Sequence, residues 1–252
     1  MKYLFLITTV LILISCRNQD NETQNVRENT EMVEKSEYTP LSEKLNERKS
    51  NFEKKADDEV KRIYAEGIQA IVDAGVLDNA LNVGDKAPDF TLKNATGDDI
   101  SLYDRLDEGP VVLVWYRGGW CPYCNITLQR LQSELPNFEK HNASLIALTP
   151  EVPDSSLSTT EKNDLQFDVL SDEGQKVSEE YGVVFQLTDE VAARYEKSFG
   201  LTEYNNDDSK KLPLAATYVI DTNGIITYAF LDADYRNRAE PKDIIEALEK
   251  LD

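Results

Sequence analysis

The chain has 252 residues, of which 47 are acidic and 27 basic, for a formal charge of −20. Such an excess of carboxylates excludes nucleic acid and anionic headgroups as the main partners, because both would be repelled. One histidine and three cysteines are too few for a multi-histidine metal centre or a disulfide-stapled fold, which leaves sulfur chemistry as the main reactive option.

In chain order, Lys2 precedes an uncharged, mostly apolar run of twelve residues from Tyr3 to Ile14. That is short of the ~20 residues needed to span a bilayer, and it reads as an export signal over residues 1–16. The run ends in Leu13-Ile14-Ser15-Cys16, which resembles the bacterial lipoprotein box. The resemblance implies a lipidated Cys16 at the mature N-terminus; an export signal with an incidental cysteine is the alternative. Residues 17–39 are polar and acidic and cannot bury enough surface to offset ordering, so a disordered tether is expected. Together these features predict a chain lipid-anchored in the bacterial cell envelope, extracytoplasmic, and touching the membrane through that anchor only.

Residues 40–77 read as a helical extension. Leu41, Leu45, Phe52, Ala56, Val60, Ile63, Ile68, Ile71 and Val72 recur at three- and four-residue spacings up to about residue 75, with Gly67 and Gly75 weakening or ending the pattern. Packing on the main domain is the simplest role, and a partner-binding helix the sharper one. From residue 78 to 252 short apolar runs alternate with amphipathic ones. Val111 to Tyr116 is a buried strand by its β-branched and aromatic content. A helix with Leu128, Leu131 and Leu135 on one side follows, then a strand from Ser144 to Leu148. Residues 161–164 and 172–181 read as helical or mixed. Thr217 to Asp221 and Ile225 to Leu231 form a hairpin about Thr222-Asn223-Gly224, with Asp221 a turn residue rather than a catalytic acid. Pro241 to Leu251 closes the chain as a helix. The pattern is that of an α/β sandwich.

One constellation carries chemistry: Cys121-Pro122-Tyr123-Cys124, directly after the 111–116 strand and opening the next helix. Unpaired amides and the dipole at a helix N-terminus stabilise a thiolate at the first cysteine, Pro122 suits the first turn, and Cys124 stands within disulfide reach. Such placement brings thiolate pKa values to ~3.5–7. Arg117 adds a positive charge and donors for a bound oxygen, unless it is an ordinary surface arginine. A zinc site falls short of ligands, since His141 is the one histidine. A Cys–His pair is disfavoured because His141 follows the helix, where exposure is expected; an inert disulfide remains an alternative.

Gly84-Asp85-Lys86-Ala87-Pro88-Asp89-Phe90-Thr91-Leu92 resembles the opening of the alkyl hydroperoxide reductase and thiol-specific antioxidant family, and residues 115–124 resemble its peroxiredoxin-like branch. Val169-Leu170-Ser171-Asp172, Tyr181-Gly182-Val183, Thr217-Tyr218-Val219-Ile220-Asp221 and Asp234-Tyr235-Arg236-Asn237-Arg238 are similar in order and spacing. The resemblance, over roughly residues 78–252, implies a thioredoxin-like sandwich with a central mixed sheet flanked by helices. It implies a thiol-dependent peroxidase that needs no cofactor or metal. Cys121 would become a sulfenic acid, Cys124 would close the disulfide, and a thioredoxin-like protein dithiol would reduce it. Arg117, with Trp120, Pro122 and Arg238 in support, would hold the peroxide and the charge. The sequence departs from the family at Gly118 and Val114, where a threonine or serine and a proline are usual. It departs again at Ala215, with Pro213 nearby, where a cis-proline or an arginine is usual. A membrane-tethered thiol–disulfide reductase acting on exported proteins is the second reading, and a non-catalytic envelope binding module the third.

Overall fold

The computed structural model describes residues 38–251; the export-signal segment, Cys16 and most of the expected tether lie outside them. The extension is three helices rather than one run: α1 (Leu41–Lys55), α2 (Asp58–Asp73) and α3 (Val76–Asn79). An extended residue at Ala56 separates the first two. Gly67 lies within α2 and does not interrupt it; a Cβ there would meet Val191 Cγ2 at 2.8 Å, so glycine lets two helices approach closely.

The remaining elements are β1 (Thr91–Lys93), β2 (Asp99–Ser101), α4 (Leu102–Leu106), β3 (Val111–Trp115), α5 (Pro122–Glu139), β4 (Ser144–Thr149), α6 (Pro153–Asn163) and β5 (Asp168–Ser171). A 3-10 turn over Glu173–Gln175 leads to α7 (Lys176–Glu180), β6 (Val184–Gln186), α8 (Asp189–Phe199), α9 (Leu201–Asn205), β7 (Lys211–Pro213), β8 (Thr217–Ile220), β9 (Ile226–Phe230) and α10 (Pro241–Leu248). The central sheet runs β5-β4-β3-β8-β9, with β3, β4 and β5 parallel and β8 and β9 antiparallel to their neighbours. This is the expected mixed sheet of a thioredoxin-like α/β fold. Asp221 accepts the amides of Asn223 and Ile225, which confirms it as a turn residue.

Every residue of β3 is buried, and its side chains alternate between two cores. Val111, Leu113 and Trp115 face one core with Ile63 and Ile71 of α2 and Val191 and Tyr195 of α8. Val112, Val114 and Tyr116 face the other, with Leu41 and Leu45 of α1, Leu128 and Leu131 of α5 and Ile244 of α10. The extension therefore reaches both faces of the sheet, α1 packing on α5 and α2 on α8. Elements the sequence reading did not give are the short antiparallel pairs β1–β2 and β6–β7, the strand β5 and the helices α4, α8 and α9, and α6 begins at Pro153, well before the 161–164 segment read as helical or mixed. The 188–200 segment nevertheless carries helix signals: Thr188 accepts the Val191 amide, Asp189 and Glu190 occupy the first turn, and Gly200 is the left-handed stop.

The start of α1 is fixed from the far end of the chain. The Glu240 carboxylate accepts the amides of Leu41 at 2.8 Å and Ser42 at 2.7 Å, two donors that the helix itself leaves unpaired. Replacing Glu240 with Ala is expected to lower unfolding free energy by about 1–2 kcal/mol in urea titration, as loss of a helix cap does. An unchanged midpoint would mean that α1 is not held there.

Candidate active site

Strand β3 delivers Tyr116 and Arg117 to the end of the sheet, and α5 begins five residues later. Cys121 is the N-cap, with extended dihedrals (φ −85°, ψ 114°), and Pro122 takes the first helical position, as the motif predicts. The turn between them depends on Gly118, whose φ of +148° suits glycine, and a Cβ there would lie 2.2 Å from Trp120 Nε1. The departure from the family's usual threonine or serine thus has a steric cause: no side chain fits at residue 118.

The turn is clamped by a residue that sequence reading did not single out. Glu151, wholly buried after β4, accepts Gly119 N at 2.7 Å and Tyr116 Oη at 2.6 Å, with Thr159 at 3.4 Å and Tyr204 also donating. Burial pushes this carboxyl above the ordinary range, while those donors oppose the rise. One glutamate among 47 acidic residues offers no distinguishing pattern in the sequence.

Arg117 is 1% exposed, which removes the surface-arginine alternative. Its Cζ lies 4.0, 5.1 and 5.2 Å from the ring centroids of Tyr235, Trp120 and Tyr195, and Nη2 donates to Tyr195 Oη at 2.5 Å. Trp120 in turn stacks on Phe199 at 4.2 Å. Arg117 Nε and Nη1 have no hydrogen-bond partner among the described residues. Burial works against the guanidinium charge, but Tyr195 and the two cysteines outweigh it, so the arginine stays charged.

Both cysteines are reduced and buried, Cys121 1% and Cys124 0% exposed. They are hydrogen-bonded to each other, and their surroundings shift the two sulfurs in opposite directions. Burial drives the Cys121 thiol well above its ordinary value, and the neighbouring Cys124 sulfur adds to the rise. Burial also penalises the Cys124 thiolate, yet the Cys121 S–H, Arg238, Arg117 and the Arg117 backbone N–H together bring it down to about 5. Arg238 supplies this from 114 residues away: Nη2 lies 3.5 Å from Cys124 Sγ, while Nη1 is held by the carbonyls of Tyr235 and Asn237. The pair shares one proton, and Arg238 together with the Arg117 backbone N–H favours the charge on the Cys124 side.

A cavity of about 210 Å³ adjoins Cys121, with Arg117, Trp120, Tyr195, Phe199 and Tyr235 among its lining residues; Cys124 does not reach it. All the residues singled out in the described part thus converge: Cys121, Cys124, Arg117, Trp120, Pro122 and Arg238. Those missed are Tyr195 and Phe199, on the unread helix α8, together with Glu151 and the extension residues at the cavity. Tyr235 sat inside a motif noted for resemblance only. His141 is half-buried, not exposed, and follows the C-terminal end of α5. That 18-residue helix places it roughly 27 Å along the axis from Cys121, out of reach of a Cys–His pair. Ala215 is buried in the link between β7 and β8.

A model of the AhpC/TSA family matches residues 83–229. The chain is 31% identical to the chloroplastic peroxiredoxin Q of Arabidopsis thaliana over 178 residues, 70% of each chain. It is 27% identical to the putative peroxiredoxin bcp of Helicobacter pylori, over 67% of this chain and 98% of that one. The crystal structure of peroxidoxin BcpB from Mycobacterium tuberculosis aligns with a TM-score of 0.55 over 68% of this chain and 99% of that chain, at 21% identity, which shows a shared fold.

A thiolate whose pKa is lowered is retained above that value and lost as pH falls through it. The 240 nm thiolate absorbance of the reduced protein is expected to disappear with a midpoint near 5. Cys124→Ser should remove most of that absorbance at neutral pH, and Arg238→Gln should move the midpoint upward. A midpoint in the ordinary thiol range, or a signal surviving in Cys124→Ser, would contradict the assignment.

Proposed function

The chain belongs to the AhpC/TSA family, as a peroxiredoxin-type oxidoreductase of the thioredoxin superfamily, and on that premise we propose that Cys121 is the atom that reduces the peroxide and Cys124 the one that resolves it. In this reading the Cys121 sulfur attacks the terminal oxygen of the hydroperoxide as its proton passes to the Cys124 thiolate. The O–O bond breaks, Cys121 becomes a sulfenic acid, and the departing alkoxide takes a proton from solvent. Cys124 S–H then condenses with the sulfenic acid, forming the Cys121–Cys124 disulfide and releasing water. A thioredoxin-like dithiol restores the pair by exchange. Arg117 Nε and Nη1 stand ready for the charge that develops on the leaving oxygen. Tyr195, whose Oη is already bonded to Arg117, takes the orienting role of the hydroxyl that Gly118 lacks.

The observation that carries this reading is the burial of both sulfurs, with Cys121 lining a cavity of about 210 Å³ and Cys124 behind it. A small hydroperoxide fits such a space, whereas a disulfide held in another protein does not, and this favours peroxidase over reductase action. It also implies that the turn at residues 118–121 opens before a protein reductant can attack. Recycling by a thioredoxin-like protein should therefore reach a limiting rate that further reductant does not raise.

Trp120 touches Arg117 and reports on the site. On mixing reduced protein with hydroperoxide, its fluorescence should change far faster than a free thiol oxidises. The change should vanish in Cys121→Ser, and in Cys124→Ser it should end at a sulfenic acid. Tyr195→Phe should lower kcat/KM for peroxide by about ten-fold, the loss of one hydrogen bond to a charged group. A rate no better than a free thiol, together with fast reduction of an oxidised protein, would replace this reading with the reductase. The anchored location at the cell envelope through Cys16 belongs to the same proposal, and Cys16→Ser should release the protein from the membrane fraction.

A further inference from the structure

The helices of the extension lie before residue 83, where the family match begins, yet they help to build the cavity beside Cys121. Arg48 and Phe52 of α1 and Tyr64 of α2 line it. Phe52 and Tyr64 pack against each other at 5.7 Å, and Tyr64 meets Tyr195 at 6.0 Å, so the extension continues the aromatic wall that begins at Trp120. This is more than the helical packing expected of residues 40–77.

The lining is unusual for this chain in its charge. Among the described residues no aspartate or glutamate lines the cavity, although 47 of the chain's 252 residues are acidic, while two arginines do. Arg117 is offset by the neighbouring sulfur charge. Arg48 is half-buried, its guanidinium lies 5.8 Å from the ring centroid of Tyr123, and it forms no ion pair among the described residues. Arg117 Nε and Nη1 and Tyr123 Oη, also on lining residues, are buried without hydrogen-bond partners among the described residues. The −20 charge of the chain repels an anion from afar, but beyond ~8 Å that repulsion is screened at physiological salt, and the local arginine decides.

We propose that the extension is part of the substrate site and that Arg48 selects hydroperoxides bearing a carboxylate or similar anionic group on an apolar body. The body lies along Phe52, Tyr64 and Trp120, the anionic group meets Arg48, and the peroxide group meets Arg117 and Cys121. The inference rests on the peroxidase reading above and adds to it the class of substrate and the residue that recognises it.

The test compares cumene hydroperoxide carrying a para-carboxylate with its methyl ester, two molecules alike in body and reactive group. In the full chain the acid is expected to have a kcat/KM about five-fold above the ester, expressed in KM, the scale of one partly exposed ion pair. In Arg48→Gln the acid-to-ester ratio should fall to near one, and Arg48→Lys, which keeps the charge, should retain most of it. Because the ratio is taken within each variant, a general loss of activity cancels. Equal values for acid and ester in the unmodified chain, or a ratio unchanged by Arg48→Gln, would overturn the inference while leaving the peroxidase intact. Failure of both compounds and of hydrogen peroxide to react faster than with a free thiol would overturn the peroxidase reading itself.

Discussion

A guanidinium 1% exposed to solvent is the constraint on which this site is organised. Taking such a charge out of water is costly unless anions and donors around it replace the lost hydration. Around Arg117 the replacement comes from three aromatic faces, one phenol and the sulfur pair. The same arginine that needs an anion therefore keeps the dithiol ionised, and its backbone N–H and side chain both act on Cys124. Its Nε and Nη1 have no hydrogen-bond partner among the described residues, and Arg117 lines the cavity, where its charge is suited to holding a substrate with developing negative charge.

The rest of the fold serves to hold that arrangement still. β3 sits in the middle of the sheet, between β4 and β8, so the residues just after it, Tyr116 and Arg117, are placed by pairing on both sides. Glu151 arrives from β4 and pins the glycine turn, while Arg238 arrives from the segment after β9 and fixes the second sulfur. Neither contact is local in sequence. A buried carboxylate that accepts several neutral donors is well suited to a clamp, because any disordering of the turn would leave its charge unsatisfied.

Much of this was legible in the sequence, for reasons that can be named. The cysteine pair, its proline and the preceding β-branched run are contiguous and obey helix-start chemistry, so strand, turn and helix could be read directly. Asp221 and Asn223-Gly224 spelled out their hairpin in the same way. What could not be read depends on contacts across the chain. Arg238, which favours charge on the Cys124 side, reaches that sulfur from 114 positions away, and no rule of helix dipoles contains that contact. The cavity gathers Arg48, Tyr64, Tyr195 and Tyr235 from separate elements, and nothing local in the sequence brings them together. The division of the extension at Ala56 was hidden because apolar spacings continue through the break.

The most direct test of Arg117 as the organising charge is single-turnover oxidation of the Arg117→Lys protein by hydroperoxide, with the thiolate absorbance and circular dichroism recorded on the same sample. Lysine preserves a positive charge but loses the planar set of donors. The thiolate should persist while the second-order rate constant falls by about 100-fold or more, the scale seen when a donor to developing charge is removed. A folded Arg117→Lys protein that keeps its thiolate and reacts at the unmodified rate would contradict the assignment.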